Sequence, residues 1–172
     1  MKSFLALAGC LVVLGLSALT VNGQADKRVT DIRAKVAEIN GGAEKYQKEN
    51  KNVVGISTEG AEVTLFRSGE ELKKISAKIY GETFKGTSEF YFSGGELIFE
   101  FDRISRYDTQ IGLKKPVKVV RIEQYRSYFE KGKMFRLQIG NKVIAPGTDD
   151  FISHESESLK NVKVILDPPN AE

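Results

Sequence analysis

Two glutamates on a predicted β-hairpin are the first residues in this sequence that could do chemistry. Glu89 and Glu100 lie on either side of a predicted turn. A hairpin that pairs Phe92 with Leu97 across this turn places the two carboxylates opposite each other. Such a pair can divide acid and base roles in glycoside hydrolysis. The alternative is an ordinary sheet surface, with Lys78 of the preceding strand beside Glu89 to offset the repulsion, and the sequence favours this structural role.

His154 is the chain's one histidine and lies in a serine-rich segment of a predicted C-terminal helix. Residues three and four positions apart are neighbours on a helix, so Glu157 and Ser158 are within reach of the imidazole. A serine activated by a histidine base is a nucleophile in many enzymes. The strained turn that presents such a serine is missing around both Ser153 and Ser158. The sequence therefore predicts an exposed polar helix face and no catalytic residue.

The sequence also predicts no metal site and no cofactor. A zinc site normally takes three or four histidine or cysteine ligands, and His154 is the one such residue beyond the N-terminal segment. Asp149, Asp150 and Glu155 lack the spacing of a calcium loop. We interpret them as acids at a helix N-terminus. The paired glycines of the chain lack the strand-to-helix context and the lysine of a phosphate-binding loop.

Tyrosine and arginine residues on predicted strands form the remaining candidate site. These two residue types anchor many protein interfaces, and a meander sheet could collect several of them on its polar face. The candidate binding residues are Tyr91, Tyr107, Arg121, Tyr125 and Arg126. This face is predicted to bind a protein or an envelope polymer. The alternative is that the tyrosines are ordinary cross-strand surface partners.

A sheet must position these residues, and the sequence from Glu62 to Ile139 predicts one. It consists of short runs of β-branched and aromatic residues punctuated by glycine. Phe66, Phe92 and Phe129 are each followed within three residues by a turn glycine. We interpret each unit as a β-hairpin with a three- to five-residue loop, in which glycine takes a positive φ after a type I turn.

Alternation along the strands predicts which residues face the core. Phe90 is expected opposite Phe99, which would give the sheet one continuous aromatic side. The predicted core positions are Ile75, Ala77, Ile79, Phe90, Phe99, Phe101, Phe135, Leu137 and Ile139. Val119, Val120 and Ile122 break the alternation, which predicts a β-bulge or a region covered on both sides.

Amphipathic helices are predicted before and after the sheet. The apolar stripe of the first consists of Val29, Ile32, Val36 and Ile39, and that of the second of Ile152, Leu159, Val162 and Leu166. The segment 40–42 should end the first helix. Thr148 should cap the second, and Pro168 with Pro169 should end it.

The hairpin units 91–98 and 128–135 share an aromatic pair, a turn glycine and a following apolar residue. In this they resemble the hairpins of MORN-type repeats and those of secreted bacterial β-hairpin proteins. The resemblance covers about the middle half of the chain, and the spacing of its units is uneven. It implies an antiparallel hairpin sheet with a binding role, and it carries no catalytic residue to this chain.

The N-terminal segment predicts export. Lys2 precedes an apolar run from Phe4 to Val21, and small residues follow, which is the pattern of a signal peptide over residues 1–23. The mature protein would begin near Gln24 and be periplasmic or secreted. Two alternatives would attach it to a membrane, namely retention of the run as an anchor and lipidation at Cys10.

Composition supports one exported domain over residues 24–172. Loss of the segment 1–23 would lower the formal charge only from +3 to +2. Basic residues are spread along the chain among nearly as many acidic ones, so nucleic acid is not an expected partner. We predict an α+β fold with an N-terminal amphipathic helix, an antiparallel meander sheet of about six strands and a short C-terminal helix. The predicted function is a non-catalytic binding or interaction module, with a hydrolase that uses paired sheet carboxylates as the alternative.

Overall fold

The computed structural model describes residues 18–113 and 116–167. Within these ranges the elements are helix α1 (Ala18–Gly42), a 3-10 turn (Ala43–Lys45), strands β1 (Gln47–Val53), β2 (Ala61–Ser68), β3 (Glu71–Gly81), β4 (Phe84–Ser93), β5 (Glu96–Tyr107), β6 (Val119–Glu130), β7 (Lys133–Ile139) and β8 (Lys142–Ile144), and helix α2 (Asp149–Leu166). Cys10, most of the predicted signal peptide and the two C-terminal prolines lie outside the described residues. Neither described helix has the length and apolarity needed to cross a bilayer.

Every strand pairs antiparallel with the next one along the chain, so the sheet runs in order from β1 to β8. This confirms the predicted α+β fold with a meander sheet and terminal helices, although the described sheet has eight strands where about six were predicted. The two additional strands are the edges. Strand β1 is polar at all positions except Val53, and β8 has three residues. Both edges carry lysine, which hinders pairing with other chains. Strand β1 is too polar and β8 too short to show the hydrophobic alternation by which a strand is predicted.

The three predicted hairpins are present, but their turns are tighter than predicted. Two residues connect the paired strands in each one. In the turns at Gly94 with Gly95 and Lys131 with Gly132, both residues have positive φ. These are the dihedral signs of type I′ turns, whose twist matches that of the flanking strands.

A β-bulge follows each of these turns, because the strand that leaves the turn carries one unpaired residue. The unpaired residues are Lys73, Ile98 and Phe135. In the central hairpin the shift pairs Phe90 with Glu100 and Tyr91 with Phe99. A shift of one residue moves every side chain beyond it to the other face. The predicted pairing of Phe90 with Phe99 is therefore wrong, and the aromatic residues of this hairpin divide between the two faces.

The irregularity predicted near the start of β6 is a bulge. Arg106 pairs with Arg121 and Tyr107 pairs with Val119, so Val120 has no partner on β5. Val119, Val120 and Ile122 are exposed, which excludes the alternative that this region is covered on both sides.

The turn at Lys131 predicts a stabilising substitution. A non-glycine residue with φ of 53° costs about 1 kcal/mol, and asparagine tolerates this conformation better than lysine does. Lys131→Asn should raise the free energy of unfolding by about 0.5–1 kcal/mol, because it creates the Asn-Gly pair preferred in type I′ turns. Urea denaturation would measure the change. The same replacement at the neighbouring Lys133, which lies in strand β7, should not stabilise the protein.

Helix α1 covers one face of the sheet. Val29, Ile32 and Ile39 are buried and Val36 is partly buried, so the predicted stripe is confirmed. On the sheet it packs with Tyr91, Ile98, Phe99, Phe101, Tyr128 and Phe135. The helix ends at Gly42, within the predicted segment.

Helix α2 belongs to the core on the opposite face, which includes Ile75, Phe90 and Leu137. The Thr148 side chain accepts a hydrogen bond from the backbone N–H of Phe151, which confirms the predicted cap. The backbone N–H of Met134 on β7 donates to Glu155 Oε1 at 2.6 Å. This bond joins the first half of the helix to the sheet.

The predicted apolar stripe of α2 is wrong for three of its four residues. Ile152, Leu159 and Leu166 are exposed, and Val162 alone packs against the core. The residues buried against the sheet are Phe151, Ser158 and Ile165. A serine in the middle of the buried side indicates that this part of the interface is polar.

Candidate pocket between helix α2 and the sheet

The five residues predicted to share one binding face lie on both faces of the sheet. Tyr91 is only 2% exposed and packs under α1, and Arg126 lies over Phe101 on the same side. Tyr125 instead packs with the α2 core, and Arg121 shares its face by strand alternation. Tyr107 lies beyond a bulge near the end of β5. The predicted surface is therefore not formed by the described residues.

The carboxylate pair predicted across the central hairpin is also absent. Glu89 pairs with Phe101, and Glu100 pairs with Phe90, so the two glutamates point to opposite faces. Glu89 accepts a hydrogen bond from Lys74 Nζ at 2.6 Å. Lys74, rather than the expected Lys78, offsets its charge.

Three other side chains converge on the α2 side of the sheet. Glu100 and Asp102 lie two positions apart on β5 and point to the same face, and His154 reaches them from α2. His154 Nε2 lies 3.6 Å from Glu100 Oε2 and 3.9 Å from Asp102 Oδ2. One ligand-type atom from each residue lies within 4.8 Å of the other two. The chain thus builds a cluster of two carboxyls and one imidazole, which we call the acid–histidine cluster.

Neighbouring groups hold the acid–histidine cluster in place. His154 Nε2 lies within hydrogen-bond distance of Ser127 Oγ on β6, at 2.9 Å, and the imidazole stacks on Tyr125 with ring centroids 5.1 Å apart. Ser158, one helical turn after His154, donates a hydrogen bond to Glu100 Oε2. These contacts explain the buried serine on α2 and show that His154 is not on an exposed face.

The two carboxyl groups differ from most buried acids because no lysine or arginine among the described residues is paired with them. Glu100 is 2% exposed and Asp102 is 7% exposed. Asp102 Oδ1 is buried and has no hydrogen-bond partner. Arg106, the one arginine lining the same space, donates to Glu123 instead. A buried carboxylate oxygen without a hydrogen bond is unfavourable, so a ligand that supplies a partner for Oδ1 would stabilise the site.

A cavity of about 240 Å³ adjoins the acid–histidine cluster, and we call it the α2 pocket. Its polar side consists of Ser88, Glu100, Asp102, Arg106, His154, Glu157, Ser158 and Asn161, and its apolar and aromatic side of Ile56, Ile79, Phe84, Ile104 and Tyr125. A pocket with apolar walls and a few convergent polar groups is the usual form of a small-molecule site.

Burial shifts the pKa values of the cluster toward the neutral forms. It raises the pKa of Glu100 well above its ordinary value, and the charge of Asp102 adds to this rise. It also raises the pKa of Asp102 to about 6, against the effect of the Ser88 hydroxyl. For His154, burial lowers the pKa of the imidazole. The pair of carboxyls therefore resists carrying two negative charges at once.

The sequence contained a signal for this site that depends on the bulge. Glu100 and Asp102 alternate with Phe99 and Phe101 on β5, and two acids at spacing two on an apolar strand share a face. Without the register shift, the sequence predicts that this face is exposed to solvent. His154 and Ser158 lie four positions apart on the helix, but nothing in the local sequence indicates that this side of the helix faces the sheet.

Comparison with models of known protein families, with curated proteins and with solved structures finds no match to this chain. The resemblance to MORN-type hairpins therefore depends on the hairpin residues alone. Any functional proposal must be argued from the α2 pocket itself.

Proposed function

We propose that this chain is an exported, non-catalytic binding protein, and that its ligand enters the α2 pocket and places a positively charged group against the acid–histidine cluster. Export is supported by the pattern of residues 1–23. The observation that carries the binding proposal is the buried pair of Glu100 and Asp102, which leaves Asp102 Oδ1 without a hydrogen bond.

The charges around the pocket favour a cation. Glu157 adds a third acid to its lining, and Arg106 is the one arginine or lysine among the lining residues. Arg106 is itself paired with Glu123 at 3.2 Å. Burying charges is favourable only when they are paired and hydrogen-bonded. A cationic group would supply the partner that the carboxyls lack.

The remaining walls favour a ligand with an apolar part. Ile56, Ile79 and Ile104 line the pocket together with Phe84, and these side chains offer contact area but no hydrogen bonds. What the pocket binds therefore combines a positively charged group at the acid–histidine cluster with a small apolar part against these walls. It does not require the predicted tyrosine and arginine surface, so recognition of a protein or an envelope polymer there is no longer part of the proposal.

A pair of probes of equal length and opposite charge tests this proposal. Hexylammonium and hexanoate would be titrated separately into the isotopically labelled protein, and amide and imidazole resonances followed by NMR. We expect hexylammonium to cause saturable shifts at Glu100, Asp102, Ile104 and His154. Hexanoate should cause none at the same concentration, because the carboxyl pair repels it.

Two tryptophan variants separate pocket binding from surface binding. Asn161→Trp fills the lining from α2 and should abolish the hexylammonium shifts. Lys163→Trp, on the exposed side of the same helix, should leave them unchanged. Equal shifts with both probes, or with neither, would overturn the proposal.

A hydrolase remains the second candidate, in a corrected form. Glu89 cannot take part, but Glu100 and Asp102 lie in one cavity beside a histidine and a serine, and paired carboxyls serve glycoside hydrolysis. Turnover of glycoside substrates that disappears in Glu100→Gln, with folding unchanged, would favour the hydrolase over the binding protein.

A further inference from the structure

We infer that the cation at the acid–histidine cluster is a divalent transition-metal ion, bound by Glu100, Asp102 and His154. This inference rests on the proposed function: the ion supplies the positive charge at the acid–histidine cluster, and the apolar walls of the α2 pocket are left to a small molecule beside it. It also replaces the sequence prediction of no metal site. That prediction counted histidine and cysteine, whereas carboxylates are also zinc ligands.

The distances within the cluster suit one shared ion. Ligand atoms around a tetrahedral zinc ion lie about 3.4 Å apart. His154 Nε2 is 3.6 Å from Glu100 Oε2 and 3.9 Å from Asp102 Oδ2. Both distances are within about 0.5 Å of the tetrahedral value, and the ligand atoms of Glu100 and Asp102 lie within 4.8 Å of each other, so rotation of the two carboxyl side chains would bring the three atoms onto one ion.

The unsatisfied oxygen is an independent observation that points to a ligand. Asp102 is more than nine-tenths buried, lines the pocket, and has no hydrogen-bond partner at Oδ1. A divalent ion would compensate two carboxylates at once, which a single ammonium group cannot do. It would therefore remove the charge imbalance that the protein leaves in this part of its interior.

Neighbouring serines can serve as outer partners of the bound ligands. Ser158 already donates to Glu100 Oε2. Ser127 lies at 2.9 Å from His154 Nε2 and must release that nitrogen for the ion, but its hydroxyl is also within reach of Glu100. Hydrogen bonds of this kind orient metal ligands and maintain their affinity.

The donor set restricts the class of ion. One imidazole nitrogen with two carboxylate oxygens suits Zn²⁺, Mn²⁺ and Fe²⁺, whereas Ca²⁺ and Mg²⁺ prefer oxygen ligands throughout. Three protein ligands leave at least one coordination position open. Because all three residues line the α2 pocket, that position would be accessible to a small molecule bound there.

His154 makes the test direct, because it is the chain's one histidine. The full chain, prepared without a histidine tag and treated with chelator, would be titrated with ZnCl₂ by calorimetry. The imidazole resonances would be followed by NMR in parallel. We expect one Zn²⁺ per chain and a saturable shift of the His154 signals, with much weaker binding of CaCl₂.

Two variants decide whether the ion is at this site. Asp102→Asn and His154→Gln should each weaken Zn²⁺ binding by about 100-fold or more, since loss of an outer partner alone typically weakens it 10- to 100-fold. Asp31→Asn, the same substitution on the exposed side of α1, should have no effect. Unfolding curves of all variants would confirm that each is folded.

The outcomes separate this inference from the proposed function. Failure of the wild-type protein to bind Zn²⁺ and Mn²⁺, or equal binding by Asp102→Asn, overturns the metal assignment. Hexylammonium binding in the same preparation would then leave the proposed function standing. Absence of both ion and hexylammonium binding overturns both.

Discussion

Asp102→Asn is expected to raise the free energy of unfolding by about 2–3 kcal/mol near neutral pH in the presence of a chelator. The reason is the environment of the carboxyl group, which is buried beside Glu100 and has an oxygen without a hydrogen bond. Asparagine has a similar shape and no charge, so it avoids the unfavourable ionisation of the buried acid. Its amide can also donate a hydrogen bond to a neighbouring carboxyl.

The effect should depend on pH with a definite sign. Burial raises the pKa of Asp102 to about 6 from 3.8 in the unfolded chain, so the folded state holds this proton more tightly. Between these values stability falls as pH rises, because the unfolded state ionises first. The wild-type protein and the variant should therefore be similar in stability near pH 4 and differ fully above pH 6.

Other titratable groups around Asp102 also make the free energy of unfolding depend on pH, and they do so in both the wild-type protein and the variant. The charged and titratable neighbours are Glu100, Arg106, Tyr125, His154 and Glu157. The raised pKa of Glu100 acts in the same direction as that of Asp102. The lowered pKa of His154 opposes it, because the folded state favours the neutral imidazole and gains stability as pH rises toward 6.5.

Urea denaturation at several pH values would measure these differences. Asp31→Asn serves as the matched control and should follow the wild-type profile. A constant difference between wild type and Asp102→Asn across the pH range would contradict the explanation, since it would show that ionisation of this residue is not the cause. A stabilised variant that has also lost Zn²⁺ binding is the combination expected of a site in which function opposes stability.

The elements of this fold were predictable where side chains repeat with a clear period. Val29, Ile32 and Ile39 recur at helical spacing and do form the buried stripe of α1. The hairpin reversals follow from glycines that adopt positive φ, such as Gly95 and Gly132. Strand β1 could not be predicted in this way, because its exposed polar residues are held by backbone pairing with β2, which leaves no trace in composition.

The candidate site could not be predicted because it depends on one unpaired residue. The bulge at Ile98 decides that Glu100 shares a face with Phe90 instead of with Glu89. The position of such a bulge depends on the twist of the turn and on the packing of both faces of the sheet. These depend on residues distant in the sequence, so the sequence near the turn does not reveal the bulge. Likewise, Ile152 and Leu159 form a regular apolar pattern on α2 but are exposed, whereas Ser158 is buried. The burial of Ser158 is favoured by its hydrogen bond to Glu100 on the sheet, and the sequence of the helix does not reveal this partner.

Tyr91→Ala is expected to reduce the free energy of unfolding by about 3–5 kcal/mol, because removal of a buried aromatic ring leaves a cavity. The ring is 2% exposed, packs 5.8 Å from that of Phe99, and lies under Lys74. Its hydroxyl donates to Glu89 at 2.8 Å. Tyr91→Phe keeps the ring but removes this bond and the contact of the hydroxyl with Asn40 at 3.2 Å, and it should reduce stability by only about 1–2 kcal/mol.

The same residue tests which face of the sheet binds ligand. Tyr91 lies on the α1 side, whereas Tyr125 lines the α2 pocket and stacks on His154. Tyr91→Phe should therefore retain the hexylammonium shifts, and Tyr125→Ala should lose them while remaining folded at room temperature. Loss of binding in Tyr91→Phe with retention in Tyr125→Ala would place the ligand on the α1 face. The sheet separates the Tyr91 hydroxyl from the α2 pocket, so removal of this hydroxyl should not affect a ligand bound in the pocket.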